Sequence, residues 1–209
     1  MPDQRDEMLQ HWQQQVALGN EEAFNALFRH FYLNLVNFAV DIIKVRPAAE
    51  EIVSDVFVKL WQKRQEIGQI EKLRVFLFVA VKNQCYNYRR DNSMWNVTVS
   101  TDNVASLSCN YDPESELAYR ELQFLLHKAV EQLPDQCKQV FKMVKEDGLK
   151  FKEVAEILQI SPRTVETQLY RALKKIRKVI EEQSGQRQTS SDLPKTLLGV
   201  AVSAWIFCS

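Results

Sequence analysis

Glycine and proline are both scarce: five and six in a chain of 209 residues. Folds rich in β-hairpins need such residues at their turns, so the shortage argues against a sheet and the long Leu/Ala/Glu/Lys/Arg/Gln-rich runs argue for helix. Neither charge is in excess, with 27 basic side chains against 27 acidic ones. A chain without net charge exerts no global pull on nucleic acid, so any such binding has to come from local segregation of charge. Cysteine and histidine are thinly spread. The cysteines lie at 85, 109, 137 and 208 with no CxxC pair, and the histidines lie at 11, 30 and 127. This spacing suits neither a zinc site nor a disulfide framework, and no cofactor is expected. The opening MPDQRDEMLQHWQQQ is polar and acidic, unlike an export signal, so a cytoplasmic protein is expected. Bilayer-length apolar runs are missing too. Leu197 to Cys208 is almost wholly apolar, but as a helix it would cover about 18 Å at ~1.5 Å per residue, short of a ~30 Å hydrocarbon core. The chain is therefore not expected to span a membrane.

What remains, 45% hydrophobic and 26% charged residues, suits a folded chain of one large domain or two small ones. A short amphipathic helix is predicted over residues 6 to 18, stopped at Gly19. Asn20 follows as N-cap of the next helix, with Glu21 and Glu22 in its dipole-favoured first turn. Phe24, Leu27, Phe28, Phe31, Leu35, Phe38 and Ile42 then recur at helical spacing. Pro47 opens a third helix, apolar along Ile52, Val53, Val56, Phe57, Leu60 and Trp61, with Glu51, Asp55 and Lys59 on its other side. After a break at QEIGQI, a helix from about Glu71 to Arg90 starts apolar (Leu73, Phe76, Leu77, Ala80) and turns basic and aromatic in KNQCYNYRR. Residues 91 to 112 are rich in Ser, Thr, Asn and Asp, net acidic and without period, which reads as a linker. Helical pattern resumes near Pro113, restarts at Pro134 and stops at Gly148. The expected fold is all-α: two small helical domains, a linker and an appended tail.

The stretch LKFKEVAEILQISPRTVETQLYRALKKIRKVI, from Leu149, supplies the charge segregation that the chain total conceals. Phe151, Val154, Ile157 and Leu158 share one side of a first helix. Ser161 is placed to cap a second helix that begins at Pro162. That helix has an apolar stripe of Val165, Leu169, Leu173, Ile176 and Ile180, and an opposite stripe of Thr164, Gln168, Arg171, Lys175 and Lys178. Between Ser161 and Lys178 six basic side chains face one acid, Glu166. Two amphipathic helices with a short capped turn read as a helix-turn-helix, whose second helix enters the major groove by its N-terminal end. Arg163, Thr164, Thr167 and Gln168 can then reach base edges. Arg171, Lys174, Lys175 and Lys178 lie nearer phosphate. The alternative is a solvated basic face on an ordinary bundle helix.

The other candidate face is upstream. Lys82, Asn83, Tyr86, Asn87 and Arg90 recur at i, i+3 and i+4 spacing, with Arg89 beside them. Bases, amides and aromatic rings together suit nucleic acid whose bases are accessible for stacking. The alternative is a polar, solvated helix end whose tyrosines pack.

Taken in order, GNEEAFNALFRHFY, AAEEIVSDVFVKLWQKR, LRVFLFVAVKNQCYNYRR, LPDQCKQVFKMVKEDGLKFKEVAEIL and ISPRTVETQLYRALKKIRK resemble the extracytoplasmic-function subfamily of bacterial sigma-70 factors, over most of residues 6 to 180. The resemblance implies a sigma-2 domain at 6–95, a linker at 96–112 and a sigma-4 domain at 113–183, followed by a polar spacer and apolar tail at 184–209. It implies an initiation subunit, not an enzyme, that binds core RNA polymerase and places it on promoter DNA, both duplex and melted. By that resemblance Glu51, Asp55, Lys59 and Trp61 are the polymerase-binding candidates, although core packing explains Trp61 equally well. The loop QEIGQIEK and the helix carrying Lys82, Asn83, Tyr86, Asn87, Arg89 and Arg90 would open and read the minus-ten element. The helix from Pro162 would read the minus-thirty-five element, and LPDQCKQVF would meet the polymerase flap. A membrane-associated anti-sigma partner is implied by the family alone, and no small-molecule substrate is expected.

Two rival functions make different demands. A helix-turn-helix regulator that ignores polymerase would bind its operator tightly alone, usually as a dimer. A nuclease would need carboxylates grouped for metal; Glu50, Glu51 and Asp55 come nearest and fit an exposed interface better. The tail from Leu197 is expected to dock on one of the domains, since a free apolar end of that length invites aggregation.

Overall fold

The computed structural model describes residues 4–92 and 123–186, with side chains from 6 to 92 and 123 to 182. The expected linker, the helical start at Pro113 and the apolar tail fall outside the described residues. What is described is helical, without a strand, and forms two compact units, one on each side of the 93–122 stretch.

The first unit contains α1 (Gln4–Ala17), α2 (Glu21–Ile43), α3 (Arg46–Gln62), a single turn α4 (Arg64–Ile67) and α5 (Leu73–Asp91). Its boundaries follow local chemistry. Gly19 takes φ 87°, a conformation that costs glycine little. The Asn20 side chain then accepts the Ala23 N–H at 3.1 Å and caps α2. Proline sits in the first turn of α3, where its missing N–H is no loss. α2 is the hub, because α1, α3 and α5 all pack on it. That position explains why burial on α2 exceeds the stripe read from the sequence. Ala23, Val36, Ala39, Val40 and Ile43 are buried beside Leu27, Phe31, Leu35, Phe38 and Ile42, whereas Phe24 and Phe28 are only half-buried. On α5 the expected apolar face is corrected: Leu73, Val75, Leu77, Phe78, Val81 and Cys85 are inside, while Phe76 is 44% exposed. Burial pushes the Cys85 thiol up to about 12, so it stays an inert thiol at neutral pH.

The second unit contains α6 (residues 123–131), α7 (Asp135–Lys145), α8 (Phe151–Leu158) and α9 (Pro162–Gln186). Pro134 precedes α7 as its N-cap residue. Past the end of α7, Gly148 takes φ 65° and lets the Leu149 N–H reach the Met143 carbonyl at 2.9 Å. The Glu153 carboxylate accepts the Lys150 N–H at 2.7 Å at the start of α8. Gln159 ends α8 at φ 57°, and the Ile160 N–H bonds to Ala155 O at 3.0 Å. Ser161 Oγ accepts the Thr164 N–H at 3.0 Å, the cap expected from the sequence. α9 packs on both α7 and α8. Its buried line is Val165, Leu169, Ala172, Ile176 and Ile180, with Leu173 only half-buried. Phe151, expected to face the core, is 40% exposed. A buried aliphatic side chain is worth about 1.5–3 kcal/mol, so these lines hold each unit together and decide which faces of α5 and α9 remain outside.

Candidate nucleic-acid interface

On α9 the solvent-facing ridge is rotated from the stripe read as opposite to the core. Between Arg163 and Lys178 the exposed positions are Arg163, Glu166, Thr167, Tyr170, Arg171, Lys174, Lys175, Arg177 and Lys178. Thr167 donates its hydroxyl to Arg163 O at 2.8 Å, leaving the Arg163 guanidinium to project from the first turn. Thr164 belongs to the cap, with its hydroxyl 2.8 Å from that of Ser161. Gln168 is half-buried and turned toward α7: the Cys137 thiol donates to its Oε1 at 2.9 Å, and its Nε2 donates to Gln136 Oε1 at 3.5 Å. Lys175 reaches back to donate to Gln132 O at 2.7 Å, at the end of α6. Of the eight positions expected to meet DNA, Arg163, Thr167, Arg171, Lys174, Lys175 and Lys178 are exposed, although Lys175 is drawn to Gln132 O and Lys178 lies 3.7 Å from the Glu182 carboxylate. Thr164 and Gln168 are half-buried and engaged within the unit. Sequence reasoning missed Tyr170, which is 66% exposed. It stands three residues after Thr167 and four before Lys174, a register that could have flagged it.

On α5, Asn83, Tyr86, Asn87, Arg89 and Arg90 are exposed, Tyr86 to 53%. Arg90 Nε sits 3.1 Å from Asp91 Oδ1 in a solvent-facing pair. Lys82 departs from the expected stripe. It is 4% exposed, and burial pulls its ammonium below the ordinary lysine value. One residue before Asn83, it points inward because a helix turns by about 100° per residue. The exposed Phe76 lies on the Asn83 side, two turns earlier, and extends the ridge toward the start of α5.

The loop entering α5 is held from α1. The side-chain amide of Gln13 donates to Ile67 O at 2.6 Å and to Ile70 O at 2.7 Å. Gln65, Glu66, Gly68, Gln69, Glu71 and Lys72 stay exposed around these anchors. On α3, Glu51, Asp55, Val58 and Lys59 form an exposed edge. Trp61 is half-buried, with its ring centroid 4.9 Å from that of Phe24 and the Arg64 guanidinium 5.0 Å above it. That environment is the packing alternative for Trp61.

A capped helix-turn-helix in one helical unit is the mark of a DNA-binding transcription protein, and an exposed amide-rich aromatic ridge lies on the other unit. Residues 27–94 match the family description "Sigma-70 region 2" and residues 123–176 match "Sigma-70, region 4", together more than half of the chain. The sigma factor YlaC of Bacillus subtilis is 24% identical over 160 residues, covering 76% of this chain and 92% of that protein. The ECF sigma-E factor of Escherichia coli K12 is 24% identical over 172 residues, covering 76% and 87%. Among solved structures, CnrH in complex with the cytosolic domain of CnrY aligns with a TM-score of 0.53 at 18% identity, covering 84% of this chain and 98% of that one. The sigma factor RpoE of Bartonella quintana, in complex with the anti-sigma factor NepR, aligns at 0.55 and 16% identity, covering 76% and 96%. The chain belongs to the extracytoplasmic-function subfamily of sigma-70 factors, RNA polymerase subunits that direct transcription initiation. Among the described residues no helix is long and apolar enough to cross a membrane.

Proposed function

We propose that this sigma factor anchors core polymerase at two promoter elements by two different kinds of contact and helps to open the duplex at one of them. The assignment keeps residues 6–95 as the sigma-2 domain and 113–183 as the sigma-4 domain. The observation that carries it is the chemical unlikeness of the two ridges. The first turns of α9 offer Arg163, Thr167 and Tyr170 to base edges and methyl groups of intact duplex, with Arg171, Lys174 and Lys178 behind them on phosphate. The ridge of α5 offers Asn83, Tyr86 and Asn87 with Arg89 and Arg90, a set suited to an unstacked base and the backbone beside it. The exposed edge of Glu51, Asp55 and Lys59 is assigned to the polymerase. Lys82 is left out of the binding set because it is buried; Trp61 is half-buried and packs on Phe24 and Arg64. Bond making belongs to the polymerase, and the complex works in the cytoplasm. An anti-sigma partner is proposed by analogy with the sigma factor captured with NepR.

Run-off transcription with sigma-free core polymerase is the test, on duplex templates and on templates already melted at the minus-ten element. Tyr86→Ala is expected to weaken initiation on duplex by about 1–3 kcal/mol of lost stacking and to recover on melted templates. Arg163→Ala is expected to relax preference at one minus-thirty-five position by about 1–3 kcal/mol. Neutralising Arg171 or Lys174 should weaken binding across sequences and flatten its salt dependence. Equal effects of Tyr86→Ala on both templates would refute the opening role.

A further inference from the structure

We propose that Gln13, on α1, is a positioning residue for minus-ten recognition: it sets the conformation of the loop that leads into α5. The inference rests on the reading above that this loop and the ridge of α5 address the minus-ten element.

Three observations carry it. Gln13 is 7% exposed, and an unpaired amide buried to that degree is unfavourable unless its hydrogens find partners. Its two amide hydrogens go to two backbone carbonyls three residues apart, Ile67 O at 2.6 Å and Ile70 O at 2.7 Å. One planar group thereby fixes both ends of the turn between α4 and α5, where a single bond would leave the turn free to pivot. Residues 65, 66, 68, 69, 71 and 72 are exposed and Ile70 is half-buried, with Ile67 alone fully inside. The backbone bonds from the Gln69 and Ile70 N–H groups, at 3.1 and 3.2 Å, stay within the turn itself. The Lys72 carbonyl accepts the Phe76 N–H at 2.9 Å, so a shift of the loop changes how α5 begins. Gln13 also lies ahead of the family match, which starts at residue 27 while the loop and α5 fall inside it. The matched segment thus takes its loop geometry from a helix outside it, and the sequence pattern of α1 does not reveal this, because a glutamine reads as a surface residue.

Gln13→Met keeps the length and burial of the side chain but removes both donors. In the full chain bound to core polymerase, the expected result is unchanged core affinity and a roughly ten-fold narrowing of discrimination between the preferred minus-ten sequence and its single-base variants. The minus-thirty-five preference should not move. Discrimination equal to the unsubstituted protein in a folded Gln13→Met overturns the proposal, and so does a loss that follows core affinity alone. Gln69→Ala, made in parallel, separates this from the underlying reading. If Gln69→Ala alters minus-ten preference and Gln13→Met does not, the positioning role fails and the loop reading stands. If neither does, the loop reading fails with it. Should Gln13→Met not fold, Gln13→Asn replaces it, keeping the amide donors but shortening their reach. Narrowed minus-ten discrimination at unchanged core affinity supports the anchor, and unchanged discrimination in the folded variant overturns it.

Discussion

The two units solve the same problem, a small helical core with one face left open, by different means. In the first, aromatic rings meet in tilted and edge-to-face pairs, some inside the core and some at its edge. Phe28 to Phe57 and Phe24 to Trp61 are each 4.9 Å between centroids, and Phe38 to Phe78 is 5.2 Å. In the second, charge and amide groups stitch helices together at their ends. Glu131 accepts from Lys138 at 2.9 Å and lies 3.6 Å from Lys142, Lys175 holds the end of α6, and the Cys137 thiol meets Gln168. Apolar packing neither titrates nor is screened by ions, whereas ion pairs titrate and are screened, so the two units should respond differently to the same stress. The difference also bears on function. Under the proposed function, a unit that holds a flexible single strand would gain from a rigid core beneath its ridge, and one that lies on phosphate would use basic residues both for its own cohesion and for DNA.

The largest test of this contrast is Phe57→Ala. Phe57 is buried and packs against two rings, Phe24 and Phe28. Its truncation should destabilise the first unit by about 3–5 kcal/mol through lost burial and a residual cavity. Exchange protection of amides in α7 to α9 should remain as before, with minus-ten binding lost and minus-thirty-five binding kept. Coupled loss of protection in both units would show that their stabilities are not separate.

Next in size is Glu131→Ala. It leaves the buried Lys138 ammonium without its carboxylate and should cost the second unit about 1–3 kcal/mol, read by urea unfolding. Burial pushes the Glu131 carboxyl up, but the Lys138 hydrogen bond and the charges of Lys142, Lys138 and His127 outweigh it and hold it below the ordinary value. An acid with a lowered folded pKa stabilises fully above its unfolded value of about 4.3 and loses that stabilisation as pH falls through the folded one. The second unit should therefore weaken on acidification, and Glu131→Gln should make that loss shallower. Lys82 gives the first unit a slope of the same sign in a far more alkaline window. With its folded pKa lowered, stability should rise with pH between that value and about 10.4. An acid slope unchanged by Glu131→Gln would remove the electrostatic half of the contrast.

Legibility differed by kind of feature, alike in both units. Helix ends were plain where a backbone constraint has a residue signature: Asn20 after Gly19, Ser161 before Pro162, Pro134 and Gly148. Two helical domains followed from those ends and from the 3.6-residue period. The faces were less legible. A period identifies one apolar stripe, but α2 and α5 pack on more than one neighbour, so Val36 and Val40 go inside and Phe76 comes out. Long polar side chains were least legible, because their partners are distant in sequence. Nothing local tells that Lys175 meets Gln132, that Gln168 meets Cys137, or that Gln13 reaches across to residues 67 and 70.

The smallest effect compares one substitution in both units. Gly148 ends α7 at φ 65° with no heavy atom within 4 Å of the place a Cβ would take, so space is free and only the backbone objects. An L-residue there pays the left-handed penalty, and Gly148→Ala should destabilise the second unit by about 1 kcal/mol. Gly68, in the loop anchored by Gln13, has φ −61° and ψ −19°, which alanine adopts without strain. A Cβ there would meet Ala17 Cβ at 3.7 Å, an ordinary contact. Gly68→Ala should therefore stabilise the first unit by about 0.4–1 kcal/mol, chiefly by restricting the unfolded chain. Opposite signs in urea unfolding of the two variants are the expected outcome. A loss at Gly68 would mean that the loop uses conformations the anchored state excludes, and would count against a rigid first unit.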